Sequence, residues 1–322
     1  MDLPGIAAVA EAPSTTWQPG DAWLSGGTWL FSEPQPDLSR LLDLRSFGWP
    51  ALQASAGGLE IAATCTLAEL ARFRAPQWPA IPLLRQCCHA LLGSFKVWNV
   101  ATVGGNVCMS LPAGPMTSLT AALDGVCTIW GPGGEHGGVP PRQVPVAEFV
   151  TGVHTNVLAP GELLRSIHLP AHALACATSF RHISLAPVGR SGALVIGRRS
   201  PGDGSVVITI TASTVAPVQL RFAGQPEAEE VEAALGAAQP RYHDDVHGSP
   251  AWREAMTRKF ALEVAAELAG PGPADGGLGG SSGPGGSSGP GGSGRASGNG
   301  RAGGNGRASG NGQADGNGRG SR

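Results

Sequence analysis

An α+β fold is predicted by three observations. Strands are mixed with segregated helices, without the regular β-α-β alternation of a doubly wound sheet. The strongest strand pattern, at 206–212, is β-branched and alternating. The two most regular amphipathic helical patterns, at 228–238 and 252–268, both come after it. A length of 322 residues is enough for two compact domains.

Residues 1–14 read as a loose lead-in, and 23–30 as an apolar approach into a Gly-rich turn. A short helix at 38–44 is expected to run into a strand at 40–44, and 59–64 alternates as a strand. Thr66 is placed to cap a helix: Leu67, Leu70 and Ala71 share a face, and Glu69 completes a capping box. Pro76, Pro79 and Pro82 then separate two lobes, about 15–75 and 80–172. Beyond them come a helix at 83–92, a second Gly-rich turn at 99–106, a helix at 117–123 and a strand at 126–130. Segments 144–150 and 162–170 complete a first domain over 1–172. The texture changes near 178, and 173–270 reads as a smaller α+β domain.

Residues 271–322 differ in kind. They consist mostly of Gly, Ser, Pro, Asn and Arg, with near-copies of a hexapeptide opening at Arg295, Arg301, Arg307 and Gln313. Such a segment has too little apolar surface to offset chain entropy, so a disordered tail is expected.

Charge and cysteine usage exclude several classes. The formal net charge is −2, and the tail holds five Arg against two Asp, which leaves a mildly acidic body. Nucleic-acid binding is therefore not expected. The six cysteines form no zinc or plant-type iron–sulfur spacing, and the eight histidines are scattered without ligand pairs. No metal site is expected. There is no apolar run of membrane-spanning length and no secretory leader pattern, so a cytoplasmic protein with free thiols is the expectation. Neither a P-loop nor a G-x-G-x-x-G fingerprint is present, and no catalytic triad or acid–base cluster stands out.

The chemistry concentrates in two short segments. One is Leu24-Ser25-Gly26-Gly27-Thr28-Trp29-Leu30; the other is Thr102-Val103-Gly104-Gly105-Asn106. Paired glycines let successive amides face one point, because no Cβ blocks positive φ or close ligand approach. Such a nest suits a phosphate. Ordinary turn chemistry explains either segment taken alone. Trp23 and Trp29 flank the first loop, as core residues or as walls of a pocket.

Together the two segments resemble the FAD-binding subunits of the xanthine dehydrogenase and carbon monoxide dehydrogenase group of molybdenum hydroxylases. The resemblance runs over residues 20–270. It includes the approach at 93–106, Ser110-Leu111-Pro112-Ala113-Gly114, the 160–170 segment, Ser179-Phe180-Arg181, and the helix start at 247–253. It implies a two-lobed FAD-binding domain of the PCMH type, followed by a small α+β domain of the carbon monoxide dehydrogenase flavoprotein type. It also implies that the two glycine loops grip the FAD pyrophosphate, with Leu164 and Arg181 as further cofactor contacts. Departures are Pro115 for a usual Asp, Leu111 for Ser, Trp98 for Arg, and Arg181 for Lys.

The implied role is electron transfer through FAD, with a molybdopterin-containing large subunit and a [2Fe–2S] small subunit as partners and NAD or another carrier as acceptor. A flavin carries the redox chemistry, so no catalytic side chain is required. A flavin-fold scaffold with little or no FAD, and a stand-alone flavin oxidase, are the alternatives. The scaffold is suggested by Pro115 and Leu111; the oxidase lacks a His/Tyr/Glu substrate cluster.

Overall fold

The computed structural model describes residues 5–134 and 140–270. The predicted tail at 271–322 lies outside the described residues. Ala8–Glu11 (β1), Asp21–Leu24 (β2) and Arg40–Asp43 (β3) form a parallel sheet in the order β1-β3-β2. Part of the expected lead-in is thus an edge strand. The strand expected at 40–44 forms as the central strand β3, while the helix expected to lead into it is absent and a 3-10 turn follows at Leu44–Phe47. Leu41 and Leu42 are both fully buried, as adjacent residues are when a central strand is covered on both faces.

Leu52–Ser55 (β4) and Gly58–Ala62 (β5) lead into Leu67–Arg72 (α1), Ile81–Ala90 (α2), Phe95–Trp98 (α3), Val103–Cys108 (α4) and Pro115–Ala122 (α5). Val126–Trp130 (β6), Arg142–Pro145 (β7), Val146–Phe149 (α6), Val150–Gly152 (β8), Thr155–Asn156 (β9), Leu163–Pro170 (β10) and Ala171–Leu174 (α7) follow. An antiparallel sheet runs β4-β5-β10-β6-β7. β5 precedes the proline stretch yet pairs with β10, which follows it, and β4 joins the sheet through β5. Leu59, Ile61, Cys127, Ile129, Ile167 and Leu169 of this sheet share one core with Leu83, Leu84 and Cys87 of α2 and Leu119 of α5. The Thr66 capping box forms as expected: its hydroxyl accepts from Glu69 N, and Glu69 Oε2 accepts from Thr66 N at 2.8 Å.

Ala177–Ile183 (β11), Ala193–Arg199 (β12), Val206–Thr211 (β13) and Val218–Phe222 (β14) make an antiparallel meander, followed by Ala228–Ala238 (α8) and Pro250–Ala269 (α9). All six residues of β13 are buried, although the pattern predicted alternation. The reason is that both faces of the meander are covered. One face packs on α9, where Gly197 leaves room for Val264 and Leu268. The other meets α5, whose Ser118 Oγ lies 2.6 Å from Thr211 Oγ1. Strands and helices follow one another without regular β-α-β alternation, as expected of an α+β fold. Among the described residues no helix is long and apolar enough to cross a membrane.

Candidate functional site

The loop after β2 turns at Gly26 and Gly27. A Cβ on Gly26 would fall on the Val100 carbonyl, and Gly27 has φ +68°, so neither position accepts another residue without strain. Phe31 N donates to Gly27 O at 2.9 Å and Ser32 N to Trp29 O at 2.8 Å, which closes the loop on itself. Among the described residues, none of the five amides from Gly26 to Leu30 has a protein acceptor. Consecutive free amides in a turn form a nest for an anion.

The second glycine segment is built differently from the expected turn. Thr102 caps α4, accepting from Gly105 N at 3.0 Å, and Gly104 and Gly105 lie inside the helix without positive φ. Val103 N donates to Cys65 O, Gly104 N to Ala63 O and Asn106 N to Thr102 O. The amides of 103–106 are thus used within the protein. Gly104 is required by packing, because its Cβ would lie 2.5 Å from that of Ala63. At Gly105 a Cβ would meet only Thr102 Oγ1, at 2.9 Å. Asn106 Oδ1 accepts from Met116 N at 3.0 Å and so holds the first turn of α5.

The two segments meet directly, with Ser25 Oγ 2.8 Å from Thr102 Oγ1. Between them opens a cavity of about 690 Å³, within the usual range for cofactor and small-molecule sites. Leu24, Ser25, Gly26, Gly27, Thr28, Trp29, Leu30, Thr102, Gly105 and Asn106 all line it, as does Trp23. Of the remaining predicted residues, Val103 and Gly104 are buried in the first turn of α4 and do not line the cavity. Leu164 is buried in β10 as part of the main core. Arg181 is drawn away to α9, where its guanidinium pairs with Glu263 at 3.0 Å and Glu267 at 2.7 Å. Neither Leu164 nor Arg181 lines the cavity. Pro115 is a buried residue at the start of α5, and Gly114 rather than Pro115 faces the cavity.

The far wall was not anticipated from sequence. It comes from Arg190, Ser191, Ala212, His243, Asp245, His247 and Arg253. Arg253 is 1% exposed and organises this wall. It donates to Gly248 O at 2.9 Å, to Gly192 O at 2.7 Å, to Ala212 O, and to Asp245 Oδ1 at 2.5 Å. Burial works to raise the Asp245 pKa, but the His247 amide and Arg253 outweigh it and hold the carboxyl below its ordinary value. A further wall carries His154, whose ring lies 5.4 Å from Trp29. His154 and Ser110 both have positive φ, at 54° and 50°, and His154 N donates to Ser110 O at 3.0 Å. Non-glycine residues in this region are held at a cost by their surroundings and recur at ligand sites. Positive φ cannot be read from residue types such as Ser and His. Cys108 also lines the cavity, and burial pushes its thiol up to about 12, so it is no nucleophile at neutral pH.

An amide nest lining a cavity of this size suits a phosphate-bearing ligand such as a nucleotide cofactor. Residues 7–172 match the family described as the FAD binding domain in molybdopterin dehydrogenase. That is more than half of the chain, which therefore belongs to this family: it is an FAD-binding oxidoreductase component. Among solved structures it is similar to carbon monoxide dehydrogenase from Hydrogenophaga pseudoflava lacking the Mo-pyranopterin moiety, with TM-score 0.69 and 19% identity over 83% of this chain and 99% of that one. The structure of reconstituted CO dehydrogenase from Oligotropha carboxidovorans gives TM-score 0.68 and 18% identity over 83% and 99%. Quinoline 2-oxidoreductase from Pseudomonas putida 86 gives TM-score 0.66 and 20% identity over 84% and 98%. At these identities the likeness is one of fold. Among curated proteins compared by sequence, none matches.

The residues present fit an FAD. The free amides of Gly26–Leu30 suit its phosphates, the missing side chain of Gly105 leaves close approach open, and the buried Ser191 hydroxyl has no protein partner.

Proposed function

We propose that the chain is the FAD-carrying electron-transfer subunit of a molybdenum hydroxylase. Its partners would be a molybdopterin-containing large subunit and a [2Fe–2S] small subunit, and it would deliver electrons to NAD or another carrier. The observation that carries this reading is the row of free amides at Gly26–Leu30 facing the cavity, joined to α4 through Ser25 and Thr102. FAD supplies the chemistry of accepting electrons and passing them on.

The chain's own residues bind, orient and exclude water. The amide nest neutralises the phosphate charge. Leu24, Leu30, Leu91, Leu92 and Ala101 line the cavity with apolar surface, which keeps the bound ring system from solvent. Arg253 holds the far wall through three carbonyls. All six cysteines are free thiols, which fits a cytoplasmic setting. We assign residues 1–172 to the FAD domain, 173–270 to the domain that closes its far wall, and 271–322 to a separate tail.

The test is the colour and company of the purified protein. The chain binds FAD non-covalently, so denaturation releases the flavin into the supernatant. It turns over no hydroxylase substrate until both partners are added. A folded chain that takes up no FAD, or one that hydroxylates substrate alone, overturns the reading.

A further inference from the structure

The far wall of the cavity contains a polar atom that the protein itself leaves unused. Ser191 is 2% exposed, its Oγ is closed off from solvent, and among the described residues this hydroxyl has no hydrogen-bond partner. Buried hydroxyls are almost always paired, so an orphan calls for a reason. Ser191 also lines the same cavity as the glycine loops. It is contributed by the turn between β11 and β12, in a region of the chain far from either loop.

The position is fixed from both sides. Gly192 N donates to Ile183 O at 2.8 Å, closing the base of the turn. Gly192 O accepts from the buried Arg253 Nη1 at 2.7 Å. A side chain on Gly192 would strike Trp252, so the backbone here is pressed against α9. These contacts fix the backbone of the turn at residues 191–192, and Ser191 lines the cavity, so a bound ligand there can supply the partner that the protein does not.

We propose that Ser191 is a cofactor-contacting residue: its hydroxyl hydrogen-bonds a polar atom of the bound flavin dinucleotide on the wall opposite the phosphate nest. The proposal rests on the FAD reading above. It gives the C-terminal meander a direct part in holding the cofactor, beyond closing the cavity. The chemistry required of the ligand is a carbonyl, ring nitrogen or hydroxyl. Both the flavin half and the adenosine half of FAD carry such atoms.

The experiment titrates the full-length apo-protein with FAD and separately with ADP, for wild type, Ser191→Ala and Ser191→Thr. Melting temperature without ligand and the visible spectrum of the loaded protein are recorded alongside. Ser191→Ala is expected to melt no lower than wild type, since no internal bond is lost. Its FAD dissociation constant should rise about tenfold, the effect of one well-formed hydrogen bond. Ser191→Thr, which keeps the hydroxyl, should recover most of the affinity. A shifted flavin spectrum with unchanged ADP affinity places the contact on the flavin half; weakened ADP binding places it on the adenosine half. Equal FAD affinity and spectrum for wild type and Ser191→Ala overturns the proposal. So does a lower melting point of Ser191→Ala with unchanged affinity, which would mean an internal partner. Failure of the folded wild type to bind FAD is a different result, and it removes the functional reading itself.

Discussion

Ser25 Oγ and Thr102 Oγ1 lie 2.8 Å apart and join two glycine segments separated by 77 positions in the chain. Thr102 Oγ1 also accepts from Gly105 N and so caps α4. One hydroxyl thus ties the first loop, the helix start and the cavity wall together. The amide nest at Gly26–Leu30 inherits its position relative to α4 from this contact.

That coupling is measurable. Ser25→Ala and Thr102→Val are each expected to weaken FAD binding, and the double variant should lose less than the sum. A coupling energy of about 0.5–1.5 kcal/mol is expected, the net worth of one hydrogen bond. FAD titrations of the four proteins in the cycle provide the value. Strict additivity would show that the two hydroxyls act independently.

The adjacent glycines of α4 should separate by phenotype. Gly104→Ala places a Cβ 2.5 Å from that of Ala63, so it should destabilise the fold by about 1–3 kcal/mol, as overpacking does. Gly105→Ala displaces only the Thr102 hydroxyl and narrows the cavity. The strained Thr102 cap, worth about 1 kcal/mol, is offset by the helix preference of Ala over Gly, so the denaturation midpoint should stay near native while most bound FAD is lost. Urea titration and flavin content distinguish the two; identical behaviour would contradict the geometry.

Arg253→Ala should be severely destabilising. It removes the donors for three backbone carbonyls and leaves Asp245 without its buried partner. Breaking a buried ion pair by deleting one partner costs about 3–5 kcal/mol. Chemical denaturation of the apo-protein tests this, and a loss below about 1 kcal/mol would mean that water replaces the guanidinium.

Acid should loosen the strand that carries the first loop. The Asp21 carboxylate accepts from Arg40 Nε at 2.8 Å and Nη2 at 2.5 Å. The Arg40 hydrogen bonds hold its pKa below the ordinary value of 3.8, against the opposing effect of burial. A carboxyl with a depressed folded-state pKa stabilises the fold above its unfolded pKa, and that stability is lost as pH falls through the folded value. Stability should therefore decline below about pH 4. Asp21→Asn should be less stable than wild type at neutral pH and should show a shallower decline in acid. Parallel acid dependence of the two proteins would remove Asp21 from the account.

What the sequence determined by itself is local. Thr66 and Glu69 are three residues apart, so their capping box follows from spacing alone. Helix α8 spans 228–238 as its pattern indicates, and the β-branched run at 206–211 forms a strand. Gly26 and Gly27 mark a tight loop because few other residues survive there. The tertiary structure decided everything that depends on which surfaces meet. Residues 38–44 carry a pattern compatible with a helix as well as a strand, and pairing of Arg40–Asp43 with β1 and β2 on either side selected the strand. Gly104 and Gly105 have the composition of a turn, yet Thr102 and the neighbouring carbonyls draw them into α4. Arg181 stands beside apolar strand residues in sequence, and its charge goes to Glu263 and Glu267 because α9 packs on β11. The far wall of the cavity has no local signature at all. Ser191, Ala212 and Arg253 come from a turn, a strand end and a helix, and only the packing of the meander between α5 and α9 brings them opposite Gly26–Leu30.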